Sequence, residues 1–170
     1  MTRILCVSAA VVAAGVATSA AGVAAPAARA SIVLHLRARA DRAFPMFDPV
    51  NEKRWAPGWQ PTLLGEARVA AGLVFTTQDD HGRTAWLLDR YDEHARELRY
   101  VVARPSTLTT IDVAVVPDGP GSSVATVTYT RTALDPVAEG EVEEFARHFP
   151  LQAPHWESAI NAALLSEPGG

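Results

Sequence analysis

The chain changes hydrophobic period along its length, and each change marks a change of element. Ser31–Arg37 alternates, with Ile32, Leu34 and Leu36 on one side and Val33, His35 and Arg37 on the other. That is the pattern of a half-buried strand. Asp41 stands where a side chain can cap a short helix running through Phe44 and Phe47. Pro45 and Pro49 hold such helical pieces to a turn or two. Asn51–Trp55 predicts a second short turn before Pro57-Gly58.

From Leu63 the period is two again. Strands are predicted over Thr62–Arg68, Leu73–Gln78, Thr84–Tyr91, Leu98–Arg104, Thr109–Val116 and Ser123–Leu134, all rich in Val, Thr, Tyr, Trp and Leu. Asp79-Asp80-His81-Gly82, Asp92–Ala95 and Pro117–Gly121 separate them with turn residues. Connections this short imply antiparallel neighbours. From about Pro136 the period turns helical. Val142, Phe145, Ala146 and Phe149 form one stripe, and Trp156, Ala159, Ile160, Ala163 and Leu164 a second. Pro150 and Pro154 lie between the stripes and predict a kink or break.

This order predicts an α+β domain. A curved seven-stranded antiparallel sheet wraps around a long C-terminal helix, with two short helices after the first strand. One helix cannot fill the concave side of seven strands, so a cavity is expected. The segment Asp48–Trp59 should sit at its mouth.

The first thirty residues follow another logic. They carry Arg3 and Arg29 but no Asp or Glu, and Ile4–Ala25 is an apolar run ending near the small-x-small site Ala28-Arg29-Ala30. That is the layout of a secretory signal peptide cleaved after Ala30. The domains expected are therefore 1–30 signal, 31–166 ligand-binding domain and 167–170 disordered tail. The alternatives for the first segment are a membrane anchor through residues 4–25 and a mis-assigned start. Cleavage predicts a periplasmic or extracellular protein without stable membrane insertion. Cys6, the one cysteine, would leave with the signal, which suits an oxidising compartment.

Charge and chemistry narrow the function classes. The 170 residues carry a formal charge of -4, which argues against a nucleic-acid binder. Losing both N-terminal arginines lowers it to -6. A single cysteine excludes a disulfide framework and any multi-cysteine metal site. His81 and His94 fall in predicted turns, and His35 points away from the apolar face of its strand. Glu144 and His148 are spaced for a surface pair, and His155 adjoins the break. No HExxH pairing or nucleophile elbow occurs, so no metal, cofactor or catalytic set is expected.

The segment Pro49-x-x-Glu52-x-x-Trp55-x-x-Gly58-Trp59 resembles one branch of the START/Bet v 1-like superfamily, the SRPBCC proteins. Gly72-Leu73-Val74-Phe75-x-Thr77, Trp86, Thr128-Tyr129-x-x-Thr132-Ala133-Leu134 and Trp156-Glu157-x-Ala159-Ile160 follow in the expected order. The resemblance spans about residues 32–165. It implies a helix-grip fold with a deep apolar cavity, in a branch called polyketide cyclase/dehydrase or lipid-transport-like. The two prolines in the C-terminal helix and the export signal depart from that pattern.

The candidate ligand-binding residues are Glu52, Trp55, Trp59, Tyr100, Tyr129, Arg131, Phe149 and Trp156. Each has a plainer role open to it. Trp55 and Trp59 either line a cavity entrance with an N–H at the rim or staple their segment to the sheet. Glu52 either meets a ligand or pairs with Lys53, Arg54 or a strand arginine. Tyr129 and Arg131 share one strand face, which is either concave and suited to a ligand oxygen or convex and solvated. The function expected is binding of a small lipid-like or aromatic, polyketide-like molecule. One alternative is a polyketide cyclase or dehydratase, with Tyr129, Arg131 or a histidine moving a proton. The other is an interaction scaffold, favoured by an interior with no cavity of about 300 Å³ or more.

Overall fold

The computed structural model describes residues 25–66, 68–79 and 82–166. The expected signal or anchor segment up to residue 24, the tail 167–170 and the turn residues Asp80 and His81 lie outside them. Seven strands form one sheet: β1 (Ala27–Leu36), β2 (Thr62–Leu64), β3 (Leu73–Asp79), β4 (Gly82–Asp92), β5 (Glu97–Ala103), β6 (Thr107–Pro117) and β7 (Ser123–Ala133). The order is β1-β7-β6-β5-β4-β3-β2, and every neighbouring pair is antiparallel. The sheet curves, and its concave side holds the core. Ile32, Leu34, Leu36, Phe75, Leu88, Leu98, Tyr100, Ile111, Val113, Val115, Ala125 and Val127 are all buried there. Alternation alone puts them on one face.

Two strand ends differ from the expectation by more than two residues. β1 begins at Ala27, so Ala27–Ala30 pair with Thr132, Arg131, Thr130 and Tyr129 rather than preceding the fold. Alanine and arginine gave no alternation to mark this. β2 stops at Leu64 instead of Arg68 because Gly65, at φ 80°, turns the chain off the sheet edge.

The short helix α1 (Ala40–Ala43) runs into a 3-10 turn at Phe44–Phe47, and a second 3-10 turn spans Glu52–Arg54. Asp41 does not cap α1. Arg39 takes the capping position, and Asp41 sits in the first turn, accepting a hydrogen bond from Arg39 Nε at 3.1 Å. The C-terminal helical element is broken as its prolines require. α2 (Glu139–His148) leads into a 3-10 turn at Phe149–Gln152, then α3 (Ala153–Leu165). Pro150 and Pro154 each stand in the first turn of the piece they open, where a missing N–H costs nothing.

α3 lies along β1, the edge strand next to β7. Glu157 accepts from the His35 backbone N–H at 2.8 Å. Asn161 accepts from Arg37 N–H at 2.7 Å and donates to the His35 carbonyl at 3.0 Å. These side chains occupy backbone groups that an open edge would offer to another strand.

Candidate functional site

A 3-10 turn repeats every three residues, so residues i and i+3 project to the same side. Glu52 and Trp55 are so spaced and both face inward, while Lys53 and Arg54 are exposed. Asp48 fixes this segment. Its buried carboxylate accepts from the backbone N–H of Val50 and Asn51 and from the Asn51 side chain, each at 2.8 Å. Asp48 was not among the residues singled out from sequence. A short acid in a turn has many possible partners, and only the fold shows that these donors converge on it.

Between this segment, the sheet and the break before α3 lies a cavity of about 240 Å³. All four tryptophans of the chain line it. On the sheet side Trp59 meets Trp86 edge-on at 5.2 Å, and Trp86 stacks on Phe75 at 5.6 Å. On the helix side Trp55 contacts Trp156 at 5.2 Å, and Phe149 sits edge-on to Trp156 at 5.8 Å and 4.5 Å from Tyr129. Phe47, Ile111, Val113 and Val127 complete the apolar wall.

The polar groups divide into those already occupied and those left open. Trp55 donates its indole N–H to the Met46 carbonyl at 2.6 Å, Trp59 to Pro49 at 2.9 Å and Trp86 to the Thr77 hydroxyl at 2.9 Å. The tryptophan rings therefore do both things considered for them: they staple their segment and they line the space. The N–H groups of Trp55 and Trp59 are taken by backbone carbonyls of their own segment rather than left for a ligand. Tyr100 donates to the Phe47 carbonyl at 2.9 Å. The Glu52 carboxyl and the Tyr129 hydroxyl have no hydrogen-bonding or ion-pair partner among the described residues. The expected pairing of Glu52 with Lys53, Arg54 or a strand arginine is not made. Arg54 instead donates to the Ala163 carbonyl at 3.1 Å.

Burial raises the Glu52 carboxyl to about 8, and the nearby negative charge of Asp48 adds to the effect. Burial likewise pushes the Tyr129 and Tyr100 phenols above their ordinary range, with the Glu52 charge contributing to both. At neutral pH the cavity thus presents a protonated acid and a protonated phenol.

Six of the eight residues singled out from sequence meet at this cavity: Glu52, Trp55, Trp59, Tyr100, Tyr129 and Trp156. Arg131 and Phe149 do not line it. The shared face of Tyr129 and Arg131 is the concave one, but Arg131 lies under α2, 3.2 Å from Glu141 and 3.9 Å over the Phe145 ring. Burial lowers the pKa of its guanidinium. Phe149 backs Tyr129 from behind. Phe47, Trp86, Ile111, Val113 and Val127 were not singled out, although Trp86 was visible as an aromatic on an inward strand position. A larger groove of about 490 Å³ lies elsewhere, lined by Arg83, Thr84, Arg104, Pro105, Ser106, Thr107 and Glu141. Its polar walls offer an apolar molecule little. Among the described residues no group of three His, Cys, Asp or Glu is placed to hold a metal ion.

No family model matches the chain, and no curated protein matches it in sequence. Solved structures do match it. Norcoclaurine synthase from Thalictrum flavum aligns over 94% of this chain and 100% of its own, with TM-score 0.65 and 17% identity. Ara h 8.0201 aligns over 83% and 99%, with TM-score 0.62 and 12% identity. The fold is the START/Bet v 1-like helix-grip fold. A protein of Thermus thermophilus shares it over 82% of this chain and 98% of its own, at TM-score 0.60 and 13% identity. Helix-grip proteins differ in what they do, so the chemistry of this one has to come from its cavity.

Proposed function

We propose that this protein binds a small, compact ligand with a mostly hydrophobic, aromatic body in the cavity between the sheet and the C-terminal helices. The observation that carries the reading is the convergence of all four tryptophans on one space, with an unpartnered acid and phenol in its wall. Ligand sites have this make-up: mostly apolar and aromatic surface with a few polar groups that fix orientation. Size restricts the class. At about 240 Å³ the cavity falls below the mark of about 300 Å³, so size by itself favours the interaction scaffold, and it is the aromatic lining with its open acid and phenol that argues for a ligand. Roughly 150 Å³ of apolar cavity suffices for benzene, so one or two substituted rings fit better than a long acyl chain. The aromatic side of the expectation is thereby favoured over the lipid-like side.

Titration calorimetry with 4-ethylphenol tests this on the native protein and on Val113→Phe, which fills the space from its buried wall. The reading expects saturable binding that weakens at least tenfold in the variant. Absence of binding to the native protein, or equal binding to both, contradicts it.

A second reading, proton transfer on the bound molecule, is favoured by Glu52 alone. An acid whose pKa lies near neutrality can both give and take a proton. Of the proton carriers considered from sequence, Tyr129 lines the cavity, with its phenol held protonated by burial, whereas Arg131 and the described histidines do not. A polyketide-type cyclisation whose product ratios are the same with native protein and with Glu52→Gln would remove this reading.

We also propose export through the N-terminal segment, supported by its charge and apolar pattern alone. The N-terminal mass of the protein recovered from outside the cytoplasm tests it.

A further inference from the structure

We propose that the ligand of this cavity carries a positive charge, an ammonium group seated among the tryptophan rings with the Glu52 carboxylate as its counter-ion; this rests on reading the cavity as a ligand site. Three observations lead there. The Glu52 carboxyl faces the space without a hydrogen bond or ion pair among the described residues. Among the described residues no lysine, arginine or histidine lines the cavity, and the nearest guanidinium in the wall strand, Arg131, is turned to Glu141. Seven of the eleven lining residues are aromatic.

Each observation selects the sign of charge. A carboxyl enclosed in apolar walls stays neutral until a cation joins it, and it then ionises to form a paired, desolvated contact. The rings of Trp55, Trp59, Trp86 and Trp156 line the space, and aromatic rings attract an ammonium group through their quadrupoles. Asp48, buried and close enough to raise Glu52, adds negative potential at the same end. An anionic ligand would meet the Glu52 carboxyl, with the Asp48 charge close behind it, and no cation in the described wall. A neutral acceptor would use the Glu52 proton but gain nothing from Asp48 or from the ring quadrupoles.

The competing signs separate in one experiment. Benzyltrimethylammonium carries a charge that does not titrate, and neopentylbenzene is its uncharged isostere. Both are titrated into native protein and into Glu52→Gln at pH 6, 7, 8 and 9. Native protein should bind the cation at least tenfold more tightly than the isostere at pH 9. Its affinity for the cation should rise by up to about tenfold per pH unit towards pH 8 and then level off, as the free acid ionises. The isostere should show no such rise. Glu52→Gln should lose the cation preference and its pH dependence while still binding the isostere, which also shows that the variant is folded. A native protein that binds the isostere but prefers it, or binds both equally at pH 9, overturns this inference and leaves the cavity reading standing. So does a pH dependence that persists in Glu52→Gln. Binding of neither probe overturns both.

Discussion

Glu52 couples the cavity to stability. Its carboxyl has an ordinary value of 4.5 and is raised to about 8 in the fold. The folded state therefore holds the proton more tightly than the unfolded chain does. The stability this contributes is complete below about pH 4.5 and is lost as pH rises through 8, at about 1.4 kcal/mol per pH unit at most. Denaturant unfolding at pH 5 and pH 8.5 should show native protein losing stability across the interval. Glu52→Gln should lose much less. A native slope equal to that of the variant would show that the acid is solvated. Trp55 is tested in the same way. Trp55→Phe keeps the ring but leaves the buried Met46 carbonyl without its donor, so unfolding should become easier by about 1–3 kcal/mol. An unchanged midpoint would mean that the indole bond is not made in solution. Trp55, Trp59 and Glu52 were legible as residues because their spacing put them on one short segment. What their polar atoms bond to was not, because the partners Met46 and Pro49 contribute carbonyls, which every residue has.

Period carried the elements well wherever one face meets the core and the other meets water. β3, β5 and β6 lie within a few residues of the alternating runs, and the two prolines mark the helix break at Phe149–Gln152. It failed where side chains are small or the chain leaves the edge, as at the start of β1 and the end of β2. It also said nothing of how α3 seals β1. Asn161, which nothing in the helical stripe marks out, serves two backbone groups of a strand more than a hundred residues away. Asn161→Leu should remove both bonds at exposed groups that water can then reach and cost about 0.5–1.5 kcal/mol, readable as a lower thermal midpoint. The two helices should also differ in persistence. α2 buries Val142 alone, whereas α3 buries Ile160, Ala163 and Leu164. Amide hydrogen exchange should therefore be faster in α2 than in the centre of α3. The reverse order would contradict this packing.

The whole molecule adds what no segment contains. The cavity was expected because one helix cannot fill seven strands, and the aromatic walls fulfil that expectation from positions as far apart as Phe47 and Trp156. Which strand face is concave depends on the curvature of the sheet, and Arg131 and Phe149 show how a correct face can still miss the cavity. The N-terminus poses a related question. Cleavage after Ala30 would remove Ala27–Ala30 from the ladder with β7, including the buried Ala30. A chain beginning at Ser31 should unfold at a lower temperature than one beginning at Ala25, and equal midpoints would show that these pairs add nothing. The central claim is that the tryptophans surround a space a ligand can occupy. Because every tryptophan lines it, their indole N–H signals in a proton–nitrogen correlation spectrum report on that space directly. On titration with 4-ethylphenol, the account predicts that these signals shift together and saturate, while the amides of Val33 and His35 on the outer face of β1 stay fixed. Indole signals that do not move, or shifts spread evenly over the whole protein, would contradict it.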